Sequence, residues 1–180
     1  MIQRIQSLWL ALAVGCMALC FLFPVAEYHF VMPSTNQHVE ARLDMVAHHD
    51  DAMFDQIQNM APVINYSQDA SGFHTWPLVV VCLLVAVVAA VCIFLYRNRV
   101  RQMRMVALAF ILNVVFVFLL FFWAVDAYGK ELMRVMAGSD LEVSWFVGAY
   151  APIVSLVFLI LAHRGIKKDE EKVRAADRLR

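Results

Sequence analysis

The chain has 180 residues, 62% of them hydrophobic, with 15 basic and 15 acidic side chains and a formal net charge of zero. A water-soluble domain this apolar lacks the polar surface to cover itself, so composition selects the membrane class. Balanced charge excludes the general attraction for nucleic acid that a basic chain would have.

Four uncharged runs stand out, 5–26, 77–96, 105–125 and 143–162. Each holds about 20 residues, enough at ~1.5 Å per residue to cross the ~30 Å hydrocarbon core of a bilayer. In the first run, Ala13-Val14-Gly15-Cys16 is similar to a lipoprotein cleavage box. The residues after Cys16 stay apolar, however, and the run is longer than a signal-peptide core, which reads as a retained span. Cys16, Cys20, Cys82 and Cys92 all lie inside spans. Cys20 and Cys82 share a depth and could pair, but the favoured reading of all four is as small buried hydrophobes.

The segment 27–76 is the first outer loop. Tyr28–Met32 reads as a short strand stopped by Pro33. From Val39 to Met60 the spacing predicts a helix, with Leu43, Val46, Phe54 and Ile57 on one side. Glu40, Asp44, His48, Asp51 and Asp55 fall on the other at spacings of three and four. Asp44 and His48, completed by Asp51 or Asp55, are a candidate set for a divalent metal. The competing reading is a solvated acidic face, and it is favoured because no His-x3-His pair or Cys ligand supports the metal.

The second span opens at Trp76-Pro77. Ala86 and Ala90 form a small-x3-small face in it, as do Ala11 with Gly15 and Ser144 with Gly148 elsewhere. The stretch 97–104 follows as a tight turn with Arg97, Arg99, Arg101 and Arg104 and no acid. Twelve of the 15 Lys/Arg lie at Arg4, in this turn or in the tail 163–180, whereas loop 27–76 carries seven acids against Arg42 alone. Short basic loops stay in the cytoplasm, so both termini, the turn 97–104 and the tail are expected inside. Tyr28, Trp76, Trp123, Tyr128 and Trp145 fall at the predicted outer ends, where amphipathic rings favour the interface.

The third span holds Asn113 near its middle, and Ser155 of the fourth span lies at a similar depth as its expected interhelical partner. No Asp, Glu, Lys or Arg sits inside any of the four runs. This argues against proton or cation coupling by this chain alone. In the outer segment 126–142, Glu131–Met136 reads as a strand able to pair with Tyr28–Met32. Pro152 removes the helical hydrogen bond to the carbonyl of Gly148 and should kink the fourth span. The tail 163–180 carries Lys167, Lys168, Arg174 and Arg178 among mixed charges. It reads as an interfacial helix on anionic lipid or as a docking helix for a cytoplasmic partner.

Several stretches together resemble one family: Met1-Ile2-Gln3-Arg4-Ile5-Gln6, Phe23-Pro24-Val25-Ala26, Asn98-Arg99, Arg164-Gly165-Ile166-Lys167-Lys168-Asp169-Glu170, Val173-Arg174 and Asp177-Arg178-Leu179-Arg180. They are similar to a family of bacterial four-span inner-membrane proteins, the domain of unknown function four-two-nine-three. The resemblance implies four spans and the bacterial cytoplasmic membrane. It implies no catalytic residues, because the family has no agreed activity.

The expected fold is an all-α, four-transmembrane-helix bundle with a small extracytoplasmic cap made of an amphipathic helix and two or three short strands. The expected function is that of a non-enzymatic accessory or scaffold subunit of a bacterial envelope complex, with no cofactor. Its partners are the lipid bilayer and a protein partner or a second copy, and not nucleic acid. A metal- or small-ligand-binding protein using the outer acidic and histidine stripe is the alternative. An oligomeric transporter or channel subunit lined by Asn113 and Ser155 is the third reading.

Overall fold

The computed structural model describes residues 2–31, 38–45, 76–135 and 141–178. In chain order the elements are α1 (Ile2–Leu22), β1 (Ala26–Val31), β2 (His38–Leu43), α2 (Trp76–Phe94), a 3-10 turn (Leu95–Arg97), α3 (Arg99–Phe118), a π-helical segment (Leu119–Ala124), α4 (Val125–Val135), β3 (Leu141–Trp145) and α5 (Val147–Arg178). Four helices are long and apolar enough to cross a membrane, over Ile5–Leu22, Trp76–Phe94, Arg99–Lys130 and Val147–Val173. At most 39% of any such window is buried, and outward residues such as Leu8, Val87, Ile111 and Val157 are apolar too. A helix apolar on its outer face needs lipid as its solvent. The chain is therefore a multi-pass, all-α membrane protein with a small sheet.

The chain divides into two compact units. The first comprises Met1–Leu19, Val80–Val117 and Tyr150–Arg180 and is helical in its described residues except at Asn98. In each of its helices the buried positions alternate spacings of four and three. They are Gln6, Leu10, Ala13 and Met17 in α1, and Cys82, Val85, Ala89 and Cys92 in α2. In α3 they are Gln102, Val106, Ala109, Asn113 and Phe116, and in α5 Ser155, Leu159, Ala162, Ile166 and Asp169. A 3.5-residue period keeps one seam facing inward along a whole helix, the packing mode of left-handed bundles. Alanine and cysteine on these seams let backbones approach closely, which drives association where lipid removes the hydrophobic effect. The expected small-residue faces do not coincide with these seams. Ala11 and Gly15 are exposed, and a Cβ added at Gly15 would meet nothing within 4 Å. Ser144 lies in a strand.

The basic turn is tighter than 97–104. The chain reverses over residues 95–98, and Asn98 accepts the first α3 bond, from Gln102 N–H at 2.9 Å. Arg99, Arg101 and Arg104 stand on the opening turns of α3 instead, since arginine has nearly alanine-like helix propensity.

The second unit comprises Cys20–Val79 and Phe118–Ala149. It holds an antiparallel three-stranded sheet in the order β2-β1-β3. Pro24 follows the end of α1 at Leu22, and the chain then enters β1. The register pairs Tyr28 with Ala41 on one side and Val143 on the other. Three further bonds extend the corner: Val25 N–H to Leu43 O at 2.9 Å, Phe146 N–H to Val25 O at 3.1 Å and Gly148 N–H to Pro24 O at 3.1 Å.

Two expectations change here. The predicted helix from Val39 begins instead as β2, because His38-Val39-Glu40-Ala41-Arg42-Leu43 alternates polar and apolar with the period of a strand. The rest of that prediction, 46–60, lies outside the described residues. The predicted strand Glu131–Met136 is helical through Val135, and β1 pairs with Leu141–Trp145 instead. Residues 143–145 are hydrophobic enough to extend the fourth apolar run, yet they end β3. The helix of α4 is supported by an i,i+4 pair, Lys130 Nζ to Asp126 Oδ2 at 2.5 Å. An exposed pair of this kind stabilises by about 0.3–0.5 kcal/mol.

Candidate functional site

Polar residues on a buried seam need partners, and the first unit holds three near one end. Gln6 is 4%, Gln102 3% and Asp169 8% exposed. Gln6 Nε2 donates to Asp169 Oδ2 at 2.5 Å, joining residues 163 positions apart. Arg99 Nη1 donates to the backbone carbonyl of Asp169 at 3.3 Å. Gln102 Nε2 donates to the carbonyl of Cys92 at 2.9 Å, near the end of α2 where carbonyls run out of helical partners. Gly165 completes the cluster, because a Cβ there would lie 3.1 Å from Gln6 Cγ. α1, the start of α3 and the C-terminal half of α5 are thereby tied at one place. Gln6, Arg99, Gly165 and Asp169 fall in the stretches on which the family resemblance rests. The contacts end on carbonyl or carboxylate oxygens and join side chains of one helix to another.

The other sequence candidates separate. Arg101, Arg104, Lys167 and Lys168 are exposed. Arg97 closes the 3-10 turn, and Arg174 and Arg178 lie on the last turns of α5; their side chains are outside the described set. Asn113 and Ser155 are both fully buried and both bond between helices, but not to each other. Asn113 Nδ2 donates to Pro152 O at 3.2 Å, and Ser155 Oγ donates to Ala13 O at 3.3 Å. A short side chain meets the nearest backbone carbonyl more readily than another side chain at the same depth. Asn113 Oδ1 is enclosed with no hydrogen-bond partner among the described residues.

Of the metal candidates, Asp44 follows β2 and is half-buried, while His48, Asp51 and Asp55 lie outside the described residues. Among the described residues no group of three potential metal ligands occurs. None of the four cysteines is in a disulfide. Cys82 Sγ is directed at Met17 O and Cys20 Sγ at Gly148 O, each at 3.7 Å. The second contact falls on the carbonyl that Pro152 leaves without its helical donor.

The second unit has a polar anchor of its own. Tyr28, 1% exposed, donates its hydroxyl to Val125 O at 2.8 Å and meets Tyr128 edge-on at 5.2 Å between ring centroids. Burial raises its phenol pKa, and the Asp126 carboxylate raises it further. Glu27, 5% exposed, lies opposite Arg42 and Ser144 in the register.

Sequence reasoning missed Gln6, Gln102, Asp169, Gly148 and Tyr28. A usable signal existed for the first three, since each occupies a seam position that is otherwise apolar.

One family's sequence model, described as domain of unknown function (DUF4293), matches residues 2–179. No curated protein matches the chain.

Proposed function

The chain belongs to the DUF4293 family, and from that premise we propose that it is a non-enzymatic accessory or scaffold subunit of a bacterial envelope complex. On this reading it lies in the cytoplasmic membrane with the basic turn and the tail inside, and it presents that tail to a partner. One observation carries the reading. α5 runs unbroken for 32 residues, and its span and tail are one helix. At ~1.5 Å per residue that is ~48 Å, against ~30 Å of hydrocarbon, so about a dozen residues extend past the lipid core. The Gln6–Asp169–Arg99 cluster fixes this extension where it leaves the bundle. Beyond it Glu171, Lys172, Val173 and Ala175 are exposed, with Val173 an apolar contact among charges. An arm held rigid before its partner arrives loses little entropy on docking. The exposed Arg101, Arg104, Lys167 and Lys168 support the inward orientation of this end.

The test removes the arm and keeps its anchor. Deleting Lys172–Arg180 leaves Asp169 in place. Purified from its own host in mild detergent, the intact chain should form a heteromeric particle by native mass spectrometry. The truncated chain should run alone with an unchanged melting temperature. A partner that stays bound to the truncated chain would overturn the reading.

A further inference from the structure

We propose that the first unit carries a site for one anionic phospholipid in the groove between α3 and α5. The inference rests on the membrane-spanning character of these helices and not on the partner reading above. A cavity of ≈ 220 Å³ lies between the two helices. Its walls are Val106, Ala107 and Phe110 from α3 and Leu159 and Ile160 from α5. Its end nearer the tail is formed by His163 and Arg164.

This is the polarity profile of a phospholipid laid along the bundle. The walls offer only hydrocarbon, which suits an acyl chain and nothing that must hydrogen-bond. The tail-side end offers cations. Arg164 lines it, Lys167 is exposed one turn further along α5, and Arg104 is exposed one turn before Ala107 on α3. Guanidinium groups from two helices match a phosphodiester in charge and in planar, two-pronged geometry. Asp169 is turned to the buried seam, where Gln6 bonds it, and Glu170 and Glu171, three and four residues beyond Lys167, bound the cationic stretch. Between chain and headgroup lies His163, whose Nδ1 is enclosed with no hydrogen-bond partner among the described residues.

Charge complementarity thus selects an anionic headgroup, and wall chemistry selects its chain over a soluble phosphate. The full-length protein is reconstituted in bilayers of equal phosphatidylglycerol and phosphatidylcholine with matched chains. It is then released for native mass spectrometry, which counts retained lipids. One phosphatidylglycerol should stay bound in preference to phosphatidylcholine. Arg164→Gln and Arg104→Gln should each lower that preference about fivefold, the ratio equivalent to ~1 kcal/mol per basic residue at an anionic surface. Ala107→Phe, which fills the groove, should abolish retention, whereas Val87→Phe on the exposed face of α2 should not. The deacylated headgroup, glycerophosphoglycerol, should not displace the lipid. Equal retention of both lipids, unchanged retention in Ala107→Phe, or displacement by the deacylated headgroup would each overturn the proposal. If Ala107→Phe does not fold, the two exposed arginine variants decide.

Discussion

Replacing Gly148 with alanine should destabilise the protein severely, although alanine is the better helix former. Gly148 sits at the start of α5, beside the corner where α1 gives way to β1. An added Cβ would lie 2.5 Å from Pro24 O, 2.6 Å from Phe23 O and 2.9 Å from Pro24 C, all backbone atoms. Ordinary contact begins near 3.4 Å, so the corner must retreat by about 0.9 Å, the difference between 3.4 and 2.5 Å. That retreat removes the Gly148 N–H bond to Pro24 O and strains the Phe146 bond to Val25 O, both 3.1 Å long. Overpacking contributes about 1–3 kcal/mol and the lost hydrogen bond about 0.5–1.5, giving roughly 2–4 kcal/mol. Gly15→Ala is the matched control. It lies in open space, so it should stabilise by up to about 1 kcal/mol through backbone entropy alone. Reversible unfolding in mixed detergent micelles, followed by far-UV circular dichroism, gives both values. Equal effects of the two substitutions would refute the argument from close approach.

The polar cluster predicts coupling. A double-mutant cycle of Gln6→Ala and Asp169→Ala should show about 1.5–3 kcal/mol of interaction, as for a hydrogen bond to a charged group, and additive effects would contradict the 2.5 Å contact. Hydrogen exchange in Lys167–Arg178 should rise in either single variant. Asn113→Leu should be neutral or stabilising by about 1 kcal/mol, because it removes an enclosed, unpartnered Oδ1. A loss above about 2 kcal/mol on the same unfolding assay would mean that Oδ1 has a bonded neighbour such as an enclosed water. Tyr28 should ionise later than an ordinary phenol near pH ~10. Its folded form keeps the proton longer than the unfolded form, so its contribution is complete below that pH. Above it, stability should fall by up to about 1.4 kcal/mol per pH unit. Tyr28→Phe should lack this loss in unfolding measured across alkaline pH.

The membrane helices were legible because hydropathy integrates over about 20 residues, and no local choice can disguise such a sum. The seams of alternating four and three spacing were also written in the chain. Their polar members Gln6, Gln102 and Asp169 were the signal for the cluster, hidden because Gln6 lies at the edge of an apolar run and the other two among charges. What could not be read was settled by neighbours. β2 and α4 exchanged their expected classes, since six residues of alternating pattern overrule a longer, looser helical period, and α4 follows directly from a π segment at Leu119–Ala124. Depth matched Asn113 with Ser155, but the choice of acceptor depended on which carbonyl lay within reach. The close approach at Gly148 left no trace beyond one glycine.

The bond between Gln6 and Asp169 also has a meaning in time. Gln6 leaves the ribosome 163 residues before its acceptor exists. During that interval the Gln6 amide lacks its Asp169 acceptor. Ser155 and Ala13 are likewise separated by 142 positions. α5 is thus the helix that closes the seam of α1. A chain that stops just short of Asp169 keeps all four apolar runs but lacks this latch.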